Sequence, residues 1–258
     1  MKKYIDGFLK YKFLLTELVK KGIKLKYRRS YLGIVWTLIE PLLTMIVLTI
    51  VFGTLLGHDE KTFPVYVLTG RLLYSVFSSG TSGAMRAVRA NSAMIKKVYV
   101  PKYLYPLSSV LFNYIIFLLS LIVLAVVALV LGVYPTVYLL QAFVPLFNLL
   151  VLILGIGMFL GTYSVFFRDL EYLWKVALML IMYMCAIFYK AEKILASNYA
   201  FVLKYNPMFC IIDNFRSAVF GSPMNMRYMW YSFGFAMGSL LLGFYVFYRK
   251  QDEFVLHI

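Results

Sequence analysis

The chain is short of acid. Its 258 residues hold 11 Asp and Glu against 26 Lys and Arg, with two cysteines and two histidines. Several chemistries fall away at once. No Gly-x-x-x-x-Gly-Lys-Ser/Thr phosphate loop occurs, so an ATP site of that kind is excluded. No His-Glu-x-x-His occurs; His58 lies in a short connection and His257 beside the C-terminus. Cys185 and Cys210 have no metal or redox spacing, and Cys185 sits in an apolar run, so both read as packing residues. No metal and no cofactor is expected in this chain. A membrane-embedded sugar or acyl transferase would need carboxylates or histidines gathered at the interface. Asp169 and Glu171, close together in a short connection, suit a turn better.

What the chain has instead is apolar surface. It is 62% hydrophobic and 18% aromatic, with 14% charged residues and a mean hydropathy of +0.81. Soluble domains hold about 45–50% apolar and about 25% charged residues. The composition therefore predicts an all-α integral membrane protein. A net charge of +15 would suggest a nucleic-acid partner in a soluble protein. Here the basic residues cluster at the ends of apolar runs, where they hold topology and meet anionic lipid headgroups. Membrane lipid is the expected partner, and nucleic acid is not. The first apolar segment is amphipathic and no small-residue cleavage site follows it, so no cleavable signal peptide is expected.

Periodicity divides residues 1–258 into one transmembrane domain. Lys10, Glu17, Lys21, Lys24 and Arg28 share a helical face, with Phe8, Leu15, Leu18 and Val19 opposite. Residues 4–29 thus read as an amphipathic helix lying in the membrane interface. A helix needs about 20 apolar residues to cross about 30 Å of hydrocarbon. Five stretches within 31–188 qualify: Tyr31–Leu56, interrupted by Glu40-Pro41, then Val65–Val88, Tyr105–Leu131, Leu140–Phe167 and Leu170–Phe188. A sixth, Tyr228–Tyr248, precedes the tail 249–258. Most basic residues fall in the leader, around Arg89–Lys102, at Arg168 and Lys175, and at Arg249-Lys250, which predicts cytoplasmic termini.

The segment 189–227 is not a plain loop. Asn206-Pro207 has the chemistry of a helix start, and Gly221 with Pro223 that of a stop. Phe209, Ile212, Phe215, Ala218 and Val219 would form its apolar face. Such a helix is too short to cross, and with a companion in Lys190–Tyr205 it suits either a re-entrant, gate-like pair or a surface amphipathic pair. Two ionisable residues lie inside spans. Glu40 is expected in the cytoplasmic half and Arg71 in the outer half, with no pairing inside one subunit. A structural role beside the Pro41 kink suits Glu40 better than substrate contact. Arg71 either snorkels to the interface or faces a polar path.

Four blocks resemble one family. They are Tyr27-Arg28-Arg29 through Leu32-Gly33 and Trp36 to Glu40-Pro41-Leu42-Leu43; Asn91 to Pro101; Val165-Phe166-Phe167-Arg168-Asp169-Leu170; and Asn206-Pro207-Met208 through Arg216 to Gly221. In order and spacing they resemble the membrane permeases of ABC-2-type exporters of cell-surface polysaccharides, such as O-antigen, capsule and teichoic acid. The resemblance covers nearly the whole chain.

It implies a homodimer of six-span permeases in a bacterial cytoplasmic membrane, joined to two copies of an ABC-type ATPase that holds ATP and Mg. The cargo would be a glycan on a polyprenyl pyrophosphate carrier. On that basis Asn91, Met94, Ile95, Lys96, Lys97 and Tyr99 are candidates for coupling to the ATPase. Tyr31, Trp36, Tyr74, Phe77, Phe112, Tyr163 and Phe166 are candidates for the substrate path, each equally suited to packing or lipid. Arg28 and Arg29 stand where a pyrophosphate would arrive, and anionic lipid suits them as well. Asn206, Pro207, Phe209, Phe215 and Arg216 would belong to an external gate. Arg71 departs from the family, which usually has an apolar residue there, and facing the path it would suit an anionic polymer. A small-molecule or drug exporter of the wider ABC-2 class fits six spans but leaves the leader junction and the Phe-Phe-Arg-Asp block without a role. A transferase and a purely structural membrane partner are the remaining alternatives.

Overall fold

A computed structural model describes residues 2–28, 30–56, 60–97 and 100–257. Among them every regular element is helical. Helix α1 (Lys2–Tyr27) buries Leu15 and Val19 and packs on α5 (Leu104–Val130), where the Phe112 ring lies against Gly22. Gly33, in the left-handed region at φ 51°, turns the chain into a short 3-10 segment, Gly33–Val35. Helix α2 (Trp36–Leu56) follows, so the first apolar helix starts later than Tyr31.

Pro41 sits inside α2 and cannot donate to the carbonyl of Thr37. The Ser120 hydroxyl of α5 reaches that oxygen at 3.2 Å while also lying 3.1 Å from Ile116 O of its own helix. The break left by the proline is thus closed from a neighbouring helix, as backbone in an apolar medium requires.

Helix α3 (Phe63–Ala90) is central, packed between α5 and α6 (Phe143–Phe166) and touching α2. A four-residue helix α4 (Ser92–Ile95) leads to α5. Helix α6 lies closely against α11 (Met226–Lys250). Their backbones touch through glycines: a Cβ on Gly155 would stand 2.4 Å from Leu240 N, and one on Gly243 would stand 2.3 Å from Gly155 O. Only hydrogen at these positions permits that approach.

Helix α7 (Leu170–Tyr183) hangs on α3 by two hydrogen bonds, Tyr74 Oη to Leu178 O at 2.7 Å and Trp174 Nε1 to Thr81 Oγ1 at 3.1 Å. Its other face, with Tyr172, Val176, Met179 and Tyr183, is exposed. Beyond it the chain turns at Ala186, φ 47°, and buries Cys185 to Phe188. The short helices α8 (Glu192–Leu195) and α9 (Ala200–Lys204) lead to α10 (Pro207–Val219). Asn206 caps α10, its Oδ1 accepting from Met208 N and Phe209 N, and Gly221 at φ 74° follows its end. After α11 the tail folds back as α12 (Phe254–His257), with Phe254 fully buried against Phe247 and Phe166.

Four stretches are long and apolar enough to cross a membrane: Gly33–Gly53, Leu104–Val130, Val137–Phe166 and Met226–Glu253. The two other expected spans differ, each for a physical reason. Val65–Val88 is helical within α3, 28 residues and about 42 Å long, but one side of it is polar. Leu170–Phe188 is helical only over the 14 residues of α7, about 21 Å, because the chain turns where Ala186 and its neighbours enter the core.

Candidate functional site

The side of α3 that stays open is a polar stripe. At 100° per residue, Arg71, Ser75, Ser78, Ser79, Ser82, Arg86 and Arg89 fall within about 100° of one another. None of them is buried, whereas most of the rest of the helix is core. From Arg71 to Arg86 the stripe runs about 22 Å, most of the thickness of a hydrocarbon layer. Six polar residues over that length, two of them arginines, with Arg89 one turn beyond, cannot face lipid. They require water or other polar groups in front of them.

At its Arg71 end the stripe forms one wall of a cavity of about 290 Å³. Helix α2 lines it with Thr37, Glu40, Pro41 and Thr44, and α5 with Asn113, Ile116, Phe117 and Ser120. Lys26 and Tyr27, at the end of α1, stand at its rim. Desolvation there pulls the Lys26 pKa below its ordinary value, and the charge of Glu40 opposes the shift. Several hydroxyls around the cavity donate to carbonyls three or four residues back: Thr37 to Ile34 O, Thr44 to Glu40 O, Ser79 to Val76 O. Glu40 and Arg71 were expected on opposite halves of the membrane; both line this one cavity, with no ion pair between them among the described residues.

The aromatic path candidates scatter. Tyr74 and Phe77 point away from the stripe, Tyr74 bonded to Leu178 O and Phe77 beside Trp174, because the α3–α7 seam is apolar. Phe112 fills the α1–α5 contact. Tyr163 is exposed beside Phe159, and Phe166 packs on Phe254 under the ammonium of Lys250. Trp36 is exposed at the start of α2, and Tyr31 stands free of the fold at 109% exposure. Of the eight path candidates, Arg71 alone lines the cavity. The serines that form the wall were not among the expected path residues; their signal is the three- and four-residue spacing of polar residues inside an otherwise apolar run.

Arg28 is exposed and lines a shallow groove with Lys26 and Ser30. Arg29 lies outside the described residues. Of the coupling candidates, Asn91 donates to Ala87 O, Met94 and Ile95 pack in an apolar cluster with Ala87, Val88, Tyr105 and Phe254, and Lys96 and Lys97 are exposed. Tyr99 lies outside the described residues.

The gate candidates lie along α10 and its cap, and one of them is a buried guanidinium. Arg216, 4% exposed, donates to Ala186 O and Tyr66 O, each at 3.0 Å, and to Thr69 Oγ1 at 3.4 Å. Its plane lies 3.4 Å from the centre of the Tyr66 ring. Gly70 makes room, since a Cβ there would stand 2.6 Å from Arg216 Nη2. Asn206 also donates to Met184 O, Pro207 occupies the first helical position, and Phe209 and Phe215 are buried. Helix α10 is thereby pinned to the start of α3 and to the turn after α7.

Among the described residues no group of His, Cys, Asp and Glu could hold a metal ion. The arrangement offers a polar wall along α3 and a cavity at its Arg71 end.

Comparison with known proteins places the chain among relatives. A family model described as ABC-2 type transporter matches residues 14–220. The O-antigen export system permease protein RfbA of Klebsiella pneumoniae is 27% identical over 84% of this chain and 83% of its own length. Its namesake from Myxococcus xanthus is 29% identical, over 84% of each chain. The polysialic acid transport protein KpsM of Escherichia coli is 22% identical over 97% of this chain and 98% of its own.

Proposed function

The chain belongs to the ABC-2 type transporter family, and from that premise we propose that it is the permease of an ATP-driven exporter of a lipid-linked cell-surface polysaccharide. It is homologous to O-antigen and capsule export permeases over most of its length. The observation that carries the finer reading is the stripe from Arg71 to Arg86, a hydroxyl-lined wall about 22 Å long that covers most of the thickness of a hydrocarbon layer. Sugar hydroxyls exchange hydrogen bonds with serines, and an apolar drug would gain nothing from such a wall. Guanidinium groups at both ends suit an anionic cargo, whether charge on the glycan or a pyrophosphate carrier.

Two copies would close the path. Within one chain α2 is almost bare, with 6% of its most apolar stretch buried, and the outer face of α7 is exposed. A second permease packed on these faces would enclose the stripes of both copies. Six crossings with cytoplasmic termini follow if α3 spans by facing that enclosed path and α7 spans together with the buried turn after it. The energy would come from two ABC-type ATPase subunits holding ATP and Mg, resting on α1 and on the exposed Lys96-Lys97 end of α4.

The decisive experiment co-purifies the chain with an ABC-type ATPase from the same cell and follows hydrolysis as lipid-linked glycan is added. Stimulation by the glycan, lost in Arg71→Gln, supports the reading. A stable complex whose hydrolysis ignores the glycan removes it.

A further inference from the structure

The far end of the stripe carries more positive charge than its structure uses. Arg86 and Arg89 are three residues apart on α3 and so share its open face. Arg89 is ion-paired with Glu171 in the first turn of α7. Glu171 is itself held in the turn after α6, its N–H donating to Arg168 O at 3.2 Å. The pair therefore brings Arg168 beside Arg89, and the other two charges acting on Arg89 are those of Arg168 and Arg86. The Nε of Arg89 is buried without a partner. Arg86 and Arg168 are both exposed. Asp169 lies exposed in the same turn, and Lys175, one turn beyond Glu171, stands over the Tyr172 ring at 5.4 Å.

Counting Arg86, Arg89, Arg168 and Lys175 against Asp169 and Glu171, the cluster stays positive. Like charges gathered around one half-buried guanidinium repel unless an anion sits among them, and Glu171 answers only Arg89. Planar guanidinium forks match phosphate oxygens in pairs. One helical turn back along the stripe, Ser82 continues the polar wall from Arg86 towards Arg71.

We propose that Arg86, Arg89 and Arg168 form a binding site for a phosphate group carried on a lipid, at the foot of the serine wall. The proposal rests on the export reading for its place in a transport cycle: a lipid-borne phosphate held here leaves the attached sugars against Ser82 and Ser79. It differs from the Arg28–Arg29 assignment in lying on the wall itself. The phosphate could belong to a prenyl diphosphate or to an anionic phospholipid, and the test separates the two.

The full chain is placed in nanodiscs of phosphatidylcholine, and farnesyl diphosphate is titrated in as probe. A parallel set of discs contains phosphatidylglycerol, whose retention on the protein is read by native mass spectrometry. The variant is R86Q/R168Q, which leaves the Arg89–Glu171 pair intact, and a melting curve checks its fold. R86K/R168K, which keeps the charge but not the forks, serves as the second variant. At least a ten-fold loss of farnesyl diphosphate affinity in R86Q/R168Q, with a smaller loss in R86K/R168K, supports a prenyl diphosphate site. Loss confined to phosphatidylglycerol retention supports a phospholipid headgroup site. Both probes bound by R86Q/R168Q as tightly as by the native chain overturn the site. Glycan export measured alongside keeps the two readings apart. Undiminished export with unchanged probe binding removes the site alone. Probe binding that depends on the arginines in a chain that exports no glycan removes the function and leaves the site.

Discussion

Pro41 takes one backbone donor out of α2, and Ser120 of α5 supplies another. A buried carbonyl without a partner costs about 1–3 kcal/mol. Because the Ser120 hydroxyl is shared with Ile116 O, the lower part of that range applies, and Ser120→Ala should cost about 1 kcal/mol. The cycle with Pro41→Ala is the informative measurement. Restoring the N–H of residue 41 lets α2 satisfy Thr37 itself, so the cost of Ser120→Ala should fall to near zero in that background. Equal melting shifts in both backgrounds would show that the hydroxyl does not serve Thr37. Arg216 is the second residue whose loss has a defined cost. Lysine there keeps the charge but cannot reach Ala186 O and Tyr66 O together while lying flat on the Tyr66 ring. Arg216→Lys should destabilise the fold by about 2–4 kcal/mol, because a buried ammonium would be left short of acceptors. Hydrogen exchange should register the change first in α10 and in the turn around Ala186.

Among elements, the α6–α11 pair is the tightest. A methyl group on Gly155 would overlap the backbone of Leu240 and Ser239, which no side-chain rotation relieves. Gly155→Ala should cost about 1–3 kcal/mol, the range for overpacking, while Gly238→Ala on the same helix pair, with open space around it, should leave the melting temperature unchanged. A comparable shift in both variants would show that the α6–α11 contact at Gly155 does not limit side-chain size. Elements also show how far local chemistry carries. The start of α10 at Asn206-Pro207 and its stop near Gly221 were readable because caps act within a few residues. The end of α7 was not. Nothing between Leu170 and Phe188 breaks a helix chemically; the chain leaves it at Met184 because Cys185–Phe188 gain burial and Ala186 O gains the bonds of Tyr66 and Arg216.

At the scale of the whole molecule, α3 is the axis: apolar where it meets α5, α6 and α7, and polar where nothing covers it. If the stripe is a path, filling it should stop transport without harming the fold. Ser75→Leu with Ser79→Leu adds apolar volume on an open surface, so the melting temperature should stay within a degree or two of the native value. Export of the cell-surface glycan should fall at least ten-fold. Leu241→Phe, on the exposed face of α11, is the control and should export normally. Normal export by the double leucine variant would take the stripe out of the path.

The amino-acid sequence by itself determined the class of this protein. Apolar runs of about 20 residues with basic residues between them point to membrane helices, since a chain in lipid must bond its own backbone and a barrel strand would be half as long and alternate. It also determined the leader helix, the missing backbone donor at Pro41, the capped helix α10 and a resemblance that family comparison then established. The tertiary structure alone decided which residues meet. Of the aromatic rings expected along a sugar path, Tyr74, Phe77, Phe112 and Phe166 went into contacts between helices, since burying a large apolar ring is worth more than exposing it. Tyr31, Trp36 and Tyr163 stayed exposed, away from the cavity. Glu40 and Arg71, assigned to opposite halves from their places in the chain, line one cavity because α2 and α3 pack side by side. The serines, unremarkable one at a time, became a wall because the rest of α3 was covered and they were not.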